Sequence, residues 1–153
     1  MDIKDIEILN ILQSDSKASN PTIGKAVGLT PSAIFERIRK LEAQGVIQSY
    51  HTKLNPRAVG FGVLAFVFLK VSIGETEIDI DRALAQIDEV LEVYHTSGEY
   101  CYTMKVRAVD TDDLGRLLLE KVHPIKGILA TQSIIVLKSV KESNHIPLRL
   151  IKK

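Results

Sequence analysis

Four histidines and one cysteine are the residues of this 153-residue chain best suited to metal or nucleophilic chemistry. His51, His95, His123 and His145 are scattered, and none stands at ligand spacing from another or from Cys101. Asp110, Asp112 and Asp113 look like a metal cluster, but acids at a helix start cap N–H groups and meet the positive dipole end. Gly24 and Gly28 are not followed by the Lys-Ser/Thr pair of a phosphate-cradling loop. No nucleophile stands beside a base. The reading is a protein without catalysis, metal or cofactor.

Residues 30–40 carry a different chemistry, that of nucleic-acid recognition. A helix that enters the DNA major groove reads base edges from its N-terminal turns. Ser32, Ala33, Phe35 and Glu36 are placed for that role. Arg39 and Lys40 are placed for phosphates, as are the backbone N–H groups at Thr30 and Ser32. Arg37 falls at the edge of the core side. It either pairs with an acid of the first helix or Glu42, or contacts phosphate.

These residues need a helix and a turn to hold them. Ile23, Ala26 and Val27 mark the apolar face of one helix, which stops at Gly28-Leu29, where glycine can adopt the left-handed conformation. Thr30 then sits at an N-cap and Pro31 at the first helical position. Ile34, Ile38 and Leu41 give the second helix its buried face, and it ends near Gln44-Gly45. A preceding helix over 2–12 buries Ile3, Ile6, Leu9 and Ile11-Leu12, with Asp2 as N-cap. Residues 14–20 are a loop, 46–50 a short strand, and 51–60, with Asn55-Pro56 and Gly60, a linker. The expected domain is a winged helix-turn-helix over 1–50.

Beyond residue 60 the pattern turns to strands. Val63, Ala65, Val67, Leu69 and Val71 line one face of the first, and Leu64, Phe66 and Phe68 line the other. Ile80, Ala83, Leu84 and Ile87 mark a helix. Strands follow over 90–96 and 100–109, with Ser97-Gly98-Glu99 as a turn between them. Tyr100, Tyr102, Met104, Val106 and Ala108 alternate onto one side. A helix carries Leu114, Leu117, Leu118 and Val122 to His123-Pro124, and a last strand covers 128–137. The order β-α-β-β-α-β is the ferredoxin-like arrangement, an antiparallel sheet with two helices on one face. The whole chain is therefore α+β, with 61–153 as the second domain. Its other sheet face carries Phe66 and Phe68, and a partner subunit is the economical cover. Residues 140–153 read equally as strand, arm or tail.

Bulk properties narrow the classes. With 45% hydrophobic and 25% charged residues, the composition is that of a soluble globular protein. No apolar run approaches the ~20 residues of a membrane span. The acidic start MDIKDIEILN does not resemble a signal peptide, and a lone cysteine suits a reducing cytoplasm. Net charge is +1, with seven Lys/Arg against six Asp/Glu over residues 1–56. DNA affinity must come from local placement and more than one subunit.

The chain resembles the leucine-responsive/asparagine-operon (Lrp/AsnC) regulators, or feast/famine regulatory proteins. The resemblance is carried by Asp2-x-x-Asp5-x-x-Ile8-Leu9, then by Ile23-Gly24-x-x-Val27-Gly28-Leu29-Thr30-Pro31-Ser32 and Glu36-Arg37-Ile38-Arg39-Lys40-Leu41-Glu42-x-x-Gly45-Val46-Ile47. Tyr50, Asn55-Pro56 and Thr96-Ser97-Gly98-Glu99-Tyr100 extend it over essentially the whole chain. It implies double-stranded DNA bound by the N-terminal domain and a small amino acid sensed by the C-terminal one. It also implies dimers that assemble further, as tetramers of dimers, into octamers.

The effector site is expected at the turn between the second and third strands, closed by a neighbouring dimer; a plain polar hairpin turn is the other reading of these residues. Ser97, Gly98 and Glu99 would hold the amino acid's charged groups, and Tyr100 and Cys101 would line its side-chain end. Thr131 and Ser133 share one face of the last strand and would add hydroxyls, with Gln132 on the other face. Family members commonly carry an aspartate where this chain has Cys101. That departure keeps open an architectural DNA-binding protein without effector. An amino-acid-sensing module serving an enzyme is the third class, and the 30–40 pattern argues against it.

Overall fold

The computed structural model describes residues 1–72 and 77–149. The chain forms two compact units, one of residues 1–53 together with the chain from Lys141 onward, the other of residues 54–140. The sequence pattern places the residues after 140 with the second domain; Gln13 and Lys53 instead hydrogen-bond them to the first unit.

The first unit contains α1 (Ile3–Ser14), α2 (Asn20–Val27) and α3 (Pro31–Ala43). Asp2 caps α1 in a reciprocal capping box with Asp5. Ser19 caps α2, so the preceding loop is shorter than its polar run suggests. Ile8, Ile23, Val27 and Ile34 form the core, with Ile11, Leu12, Leu29 and Ile38 packed against it. Two helix faces differ from the sequence pattern. Ile3 is exposed and Ile8 is fully buried, because α1 buries Ile6 and Leu9 on one side and Ile8 on another. Ala26 is exposed, and Gly24 occupies the buried position instead.

Residues 46–50 make no β-ladder, so the expected wing strand is absent from the described chain. The backbone N–H groups of Val46 and Ile47 both donate to the Leu41 carbonyl, at 2.9 and 3.2 Å. Committed to closing the end of α3, they are not free to pair with a strand.

The second unit opens with a 3-10 turn, Arg57–Val59, inside the expected linker. It continues as β1 (Val63–Val71), α4 (Glu77–Ala85), β2 (Val90–His95), β3 (Tyr102–Ala108), α5 (Thr111–Leu117) and β4 (Ile128–Ile135). A π-helical turn, Leu118–Val122, extends α5. The strands form one antiparallel sheet in the order β2-β3-β1-β4, the ferredoxin-like arrangement. Ala65, Val67 and Leu69 of β1 meet Tyr102, Met104 and Val106 of β3 in a core closed by Ile80, Leu84, Leu114 and Val122. The alternate residues Phe66 and Phe68 stay half-buried on the opposite face. Tyr102 is fully buried, and its hydroxyl donates to Asp81 Oδ1 at 2.6 Å, which satisfies the one polar atom the core must accommodate there.

Candidate nucleic-acid interface and effector turn

The turn between α2 and α3 is built from backbone constraints. Gly28 ends α2 at φ +72°, where a side chain would be strained. Gly24 lets the chain pass close: a Cβ there would stand 2.5 Å from the Leu29 carbonyl oxygen. That carbonyl belongs to backbone, so the neighbour cannot yield easily. Thr30 then caps α3, its Oγ1 accepting the Ala33 N–H at 3.3 Å, and Pro31 occupies the first helical position.

The outward face of α3 that results carries Ser32, Phe35, Glu36, Arg39 and Lys40, all exposed, with Ala33 half-buried at its edge. Phe35 is 53% exposed, an unusual position for an aromatic that no packing need explains. Ser32 Oγ lies 3.1 Å from Thr30 Oγ1. Arg39 and Lys40 have no hydrogen bond or ion pair among the described residues.

Arg37 is the exception among the expected DNA contacts. Its Nη1 sits 2.8 Å from Asp2 Oδ2 and 2.7 Å from Asp5 Oδ1. The sequence allows both an acid partner in the first helix and a phosphate; the structure contains the first. Hydrogen bonds to Asp2, then Asp5, hold the guanidinium pKa above its ordinary value. The Asp2 carboxyl is held below its ordinary value, chiefly by the Asp5 N–H and then by Arg37. Lys4 completes the brace by donating to the Val27 carbonyl at the α2 C-terminus, 2.7 Å away. Glu42, the other acid considered for Arg37, instead accepts from the Tyr50 hydroxyl at 2.9 Å. Burial, then that bond, pushes the Tyr50 pKa up to about 12.

In the second unit, residues 97–100 bend between β2 and β3. The Thr96 N–H donates to the Cys101 carbonyl at 2.7 Å, and Thr96 Oγ1 donates to the Tyr100 carbonyl at 3.2 Å. Gly98 sits at φ +114°, with nothing within 4 Å of where a Cβ would be, so Ser97, Gly98 and Glu99 leave an approachable backbone. Glu99 pairs with Lys70 at 2.7 Å, a residue the sequence does not single out. That bond draws the Glu99 pKa down and the Lys70 pKa up.

The structure does not gather all the expected effector residues. Thr131 is opposite Leu69 and Ser133 opposite Val67, which puts both on the helix-covered face. Thr131 Oγ1 lies 3.1 Å from His123 Nε2. Lys70, and with it the Glu99 carboxylate, belongs to the opposite face, the face of Gln132. Cys101 is partly buried and packs against the core. Among the described residues no group of three or more His, Cys, Asp or Glu could hold a metal ion.

An exposed helix on a braced three-helix unit, followed by a ferredoxin-like unit with an accessible turn, gives the chain a helix-turn-helix unit and a separate sheet-bearing unit. Comparison with known proteins agrees. Residues 1–42 match the AsnC-type helix-turn-helix domain, and residues 64–146 match the Lrp/AsnC ligand binding domain. The chain belongs to the Lrp/AsnC family of transcription regulators. It is 38% identical over 149 residues to the HTH-type transcriptional regulator FL11 of Pyrococcus horikoshii, covering 97% of each chain. It is 34% identical over 151 residues to the leucine-responsive regulatory protein of Escherichia coli K12, covering 97% of this chain and 92% of that one. A transcriptional regulator from Neisseria meningitidis in complex with L-methionine superposes with a TM-score of 0.92 at 27% identity, over 96% of each chain. The feast or famine regulatory protein of M. tuberculosis complexed with L-methionine gives 0.88 at 30% identity, over 95% of this chain and 97% of that one.

Proposed function

We propose that this protein binds double-stranded DNA in a sequence-specific manner through Thr30, Ser32, Ala33, Phe35, Glu36, Arg39 and Lys40, and that a small amino acid tunes its occupancy. The exposed α3 face carries this reading: Arg39 and Lys40 make no hydrogen bond or ion pair among the described residues, while Arg37 Nη1 is held by Asp2 and Asp5. Base edges fall to the first turns, and phosphates to the two cations and the helix N-terminus.

The effector site is drawn at Ser97, Gly98, Glu99 and Tyr100, with Lys70 beside them. The relatives that hold L-methionine support an amino acid as the ligand class. An amino acid presents one ammonium and one carboxylate, and Glu99 and the open backbone at Gly98 offer a partner for each. The half-buried Phe66 and Phe68 support a dimer joined through the open sheet face, with octamers as the further assembly. Its place is the cytoplasm, where DNA and free amino acids meet. No helix of the described chain is long and apolar enough to cross a membrane.

A second reading, an architectural DNA-binding protein without effector, draws support from Cys101, a partly buried thiol packed against the core, which has no charge to offer an amino acid. Thermal-shift screening of the twenty amino acids, with and without a duplex selected by the protein, separates the two. A stabilising amino acid supports the regulator, and none among the twenty supports the architectural protein.

A further inference from the structure

The segment that follows the sheet returns to the first unit, where Gln13 of α1 receives it. Gln13 Nε2 donates to the Ile146 carbonyl at 3.1 Å, and the Ile146 N–H donates to Gln13 Oε1 at 2.7 Å. One carboxamide thus satisfies both backbone groups of a single residue and fixes the direction of the segment. Lys53 Nζ adds a bond to the Glu142 carbonyl at 2.8 Å. Lys141 and Arg149 are exposed, and neither has a hydrogen bond or ion pair among the described residues.

Charge gives this docking a consequence. Residues 1–53 hold seven Lys/Arg against six Asp/Glu, a formal +1, and residues 141–153 hold four against one, a formal +3. The first unit therefore carries +4 with the segment and +1 without it. Counterion release scales with the phosphates neutralised, so each cation the segment places on the DNA backbone adds to those of α3. The anchor point is also apt. Gln13 is in the last turn of α1, and a short loop leads from there to the start of α2. In a helix-turn-helix, the helix before the recognition helix crosses the DNA backbone.

We infer that residues 141–149 form a docked phosphate-binding arm, which adds sequence-independent contacts with duplex DNA to those of α3. It rests on the reading of the first unit as the DNA-binding unit. The arm supplies electrostatic affinity, and α3 supplies base discrimination.

The test is the affinity of the full chain for a mixed-sequence duplex and for a selected duplex across a series of salt concentrations. Lys141→Gln with Arg149→Gln should weaken both duplexes by the same factor. It should also flatten the slope of log K against log salt by about 0.9 for each phosphate that is no longer neutralised. Both side chains are exposed, so the melting temperature should match the wild type. Gln13→Ala keeps every charge but releases the segment, and should flatten the slope as well. An unchanged slope in the Lys141/Arg149 variant overturns the arm, and an unchanged slope in Gln13→Ala overturns its docked placement. Arg39→Ala with Lys40→Ala serves as the independent control. If that variant loses affinity while the Lys141/Arg149 variant does not, only the arm fails. A wild type that binds neither duplex overturns the DNA-binding reading and the arm together.

Discussion

Arg37 of α3 and Asp5 of α1 are joined at 2.7 Å, and the same guanidinium nitrogen reaches Asp2 at 2.8 Å. The bond spans 32 residues of sequence and holds the recognition helix against the first turn of the chain. Arg37→Ala should therefore behave as a stability mutant. Asp5 is mostly buried and Arg37 about a third exposed, so after solvent screening a loss of about 1–2 kcal/mol is expected by urea unfolding. The salt slope for DNA should hardly move. The clamp also sets an acid limit. The Asp2 pKa lies below its ordinary 3.8 in the folded chain, so its contribution is complete above the unfolded value and lost as pH falls through the folded one. The wild-type margin over Arg37→Ala should narrow below about pH 4, by the part of the Asp2 shift that Arg37 supplies, since the Asp5 N–H bond to Asp2 remains in the variant.

Arg39 and Lys40 should behave in the opposite way. Replacing both with Ala should leave unfolding unchanged, weaken binding to every duplex and flatten the salt slope. Ser32→Ala or Glu36→Ala should change base preference instead, by roughly 1–3 kcal/mol at the base contacted. Anisotropy titrations against a panel of single-base operator variants distinguish the two patterns.

Gly24→Ala tests the close pass at the turn. The new methyl would meet the Leu29 carbonyl oxygen at 2.5 Å, and the backbone must move to admit it. A destabilisation of about 1–3 kcal/mol is expected, measured by thermal unfolding, despite alanine's better helix propensity.

Much of this architecture is legible in periodicity and capping residues, and what escapes them shares a physical reason. The bounds of β1 and the Thr30-Pro31 start of α3 are local properties, and the chain states them locally. The partner of Arg37 is not local, so its two readings cannot be separated without the fold. Ile3 departs from its expected burial because α1 buries two faces, which blurs a single stripe. Alternation correctly puts Thr131 and Ser133 together, but it does not say which face meets the helices. Lys70 and the docking of Ile146 on Gln13 depend on tertiary proximity and leave no periodic signal.

The open sheet face makes its own prediction. Phe66→Asp or Phe68→Asp would place an unpaired carboxylate in the proposed subunit interface. Light scattering should show dispersed or unfolded protein, and a stable dimer in both variants would locate the interface elsewhere.

An amino acid that alters DNA occupancy through the turn at Gly98 and Glu99 is the core of the proposed function. Anisotropy titration of a selected duplex, with and without an equimolar mixture of the twenty amino acids, measures that coupling directly. The midpoint should shift in the wild type and shift less in Glu99→Gln, with DNA affinity in the absence of amino acids preserved. Identical wild-type curves with and without the mixture would contradict the coupling.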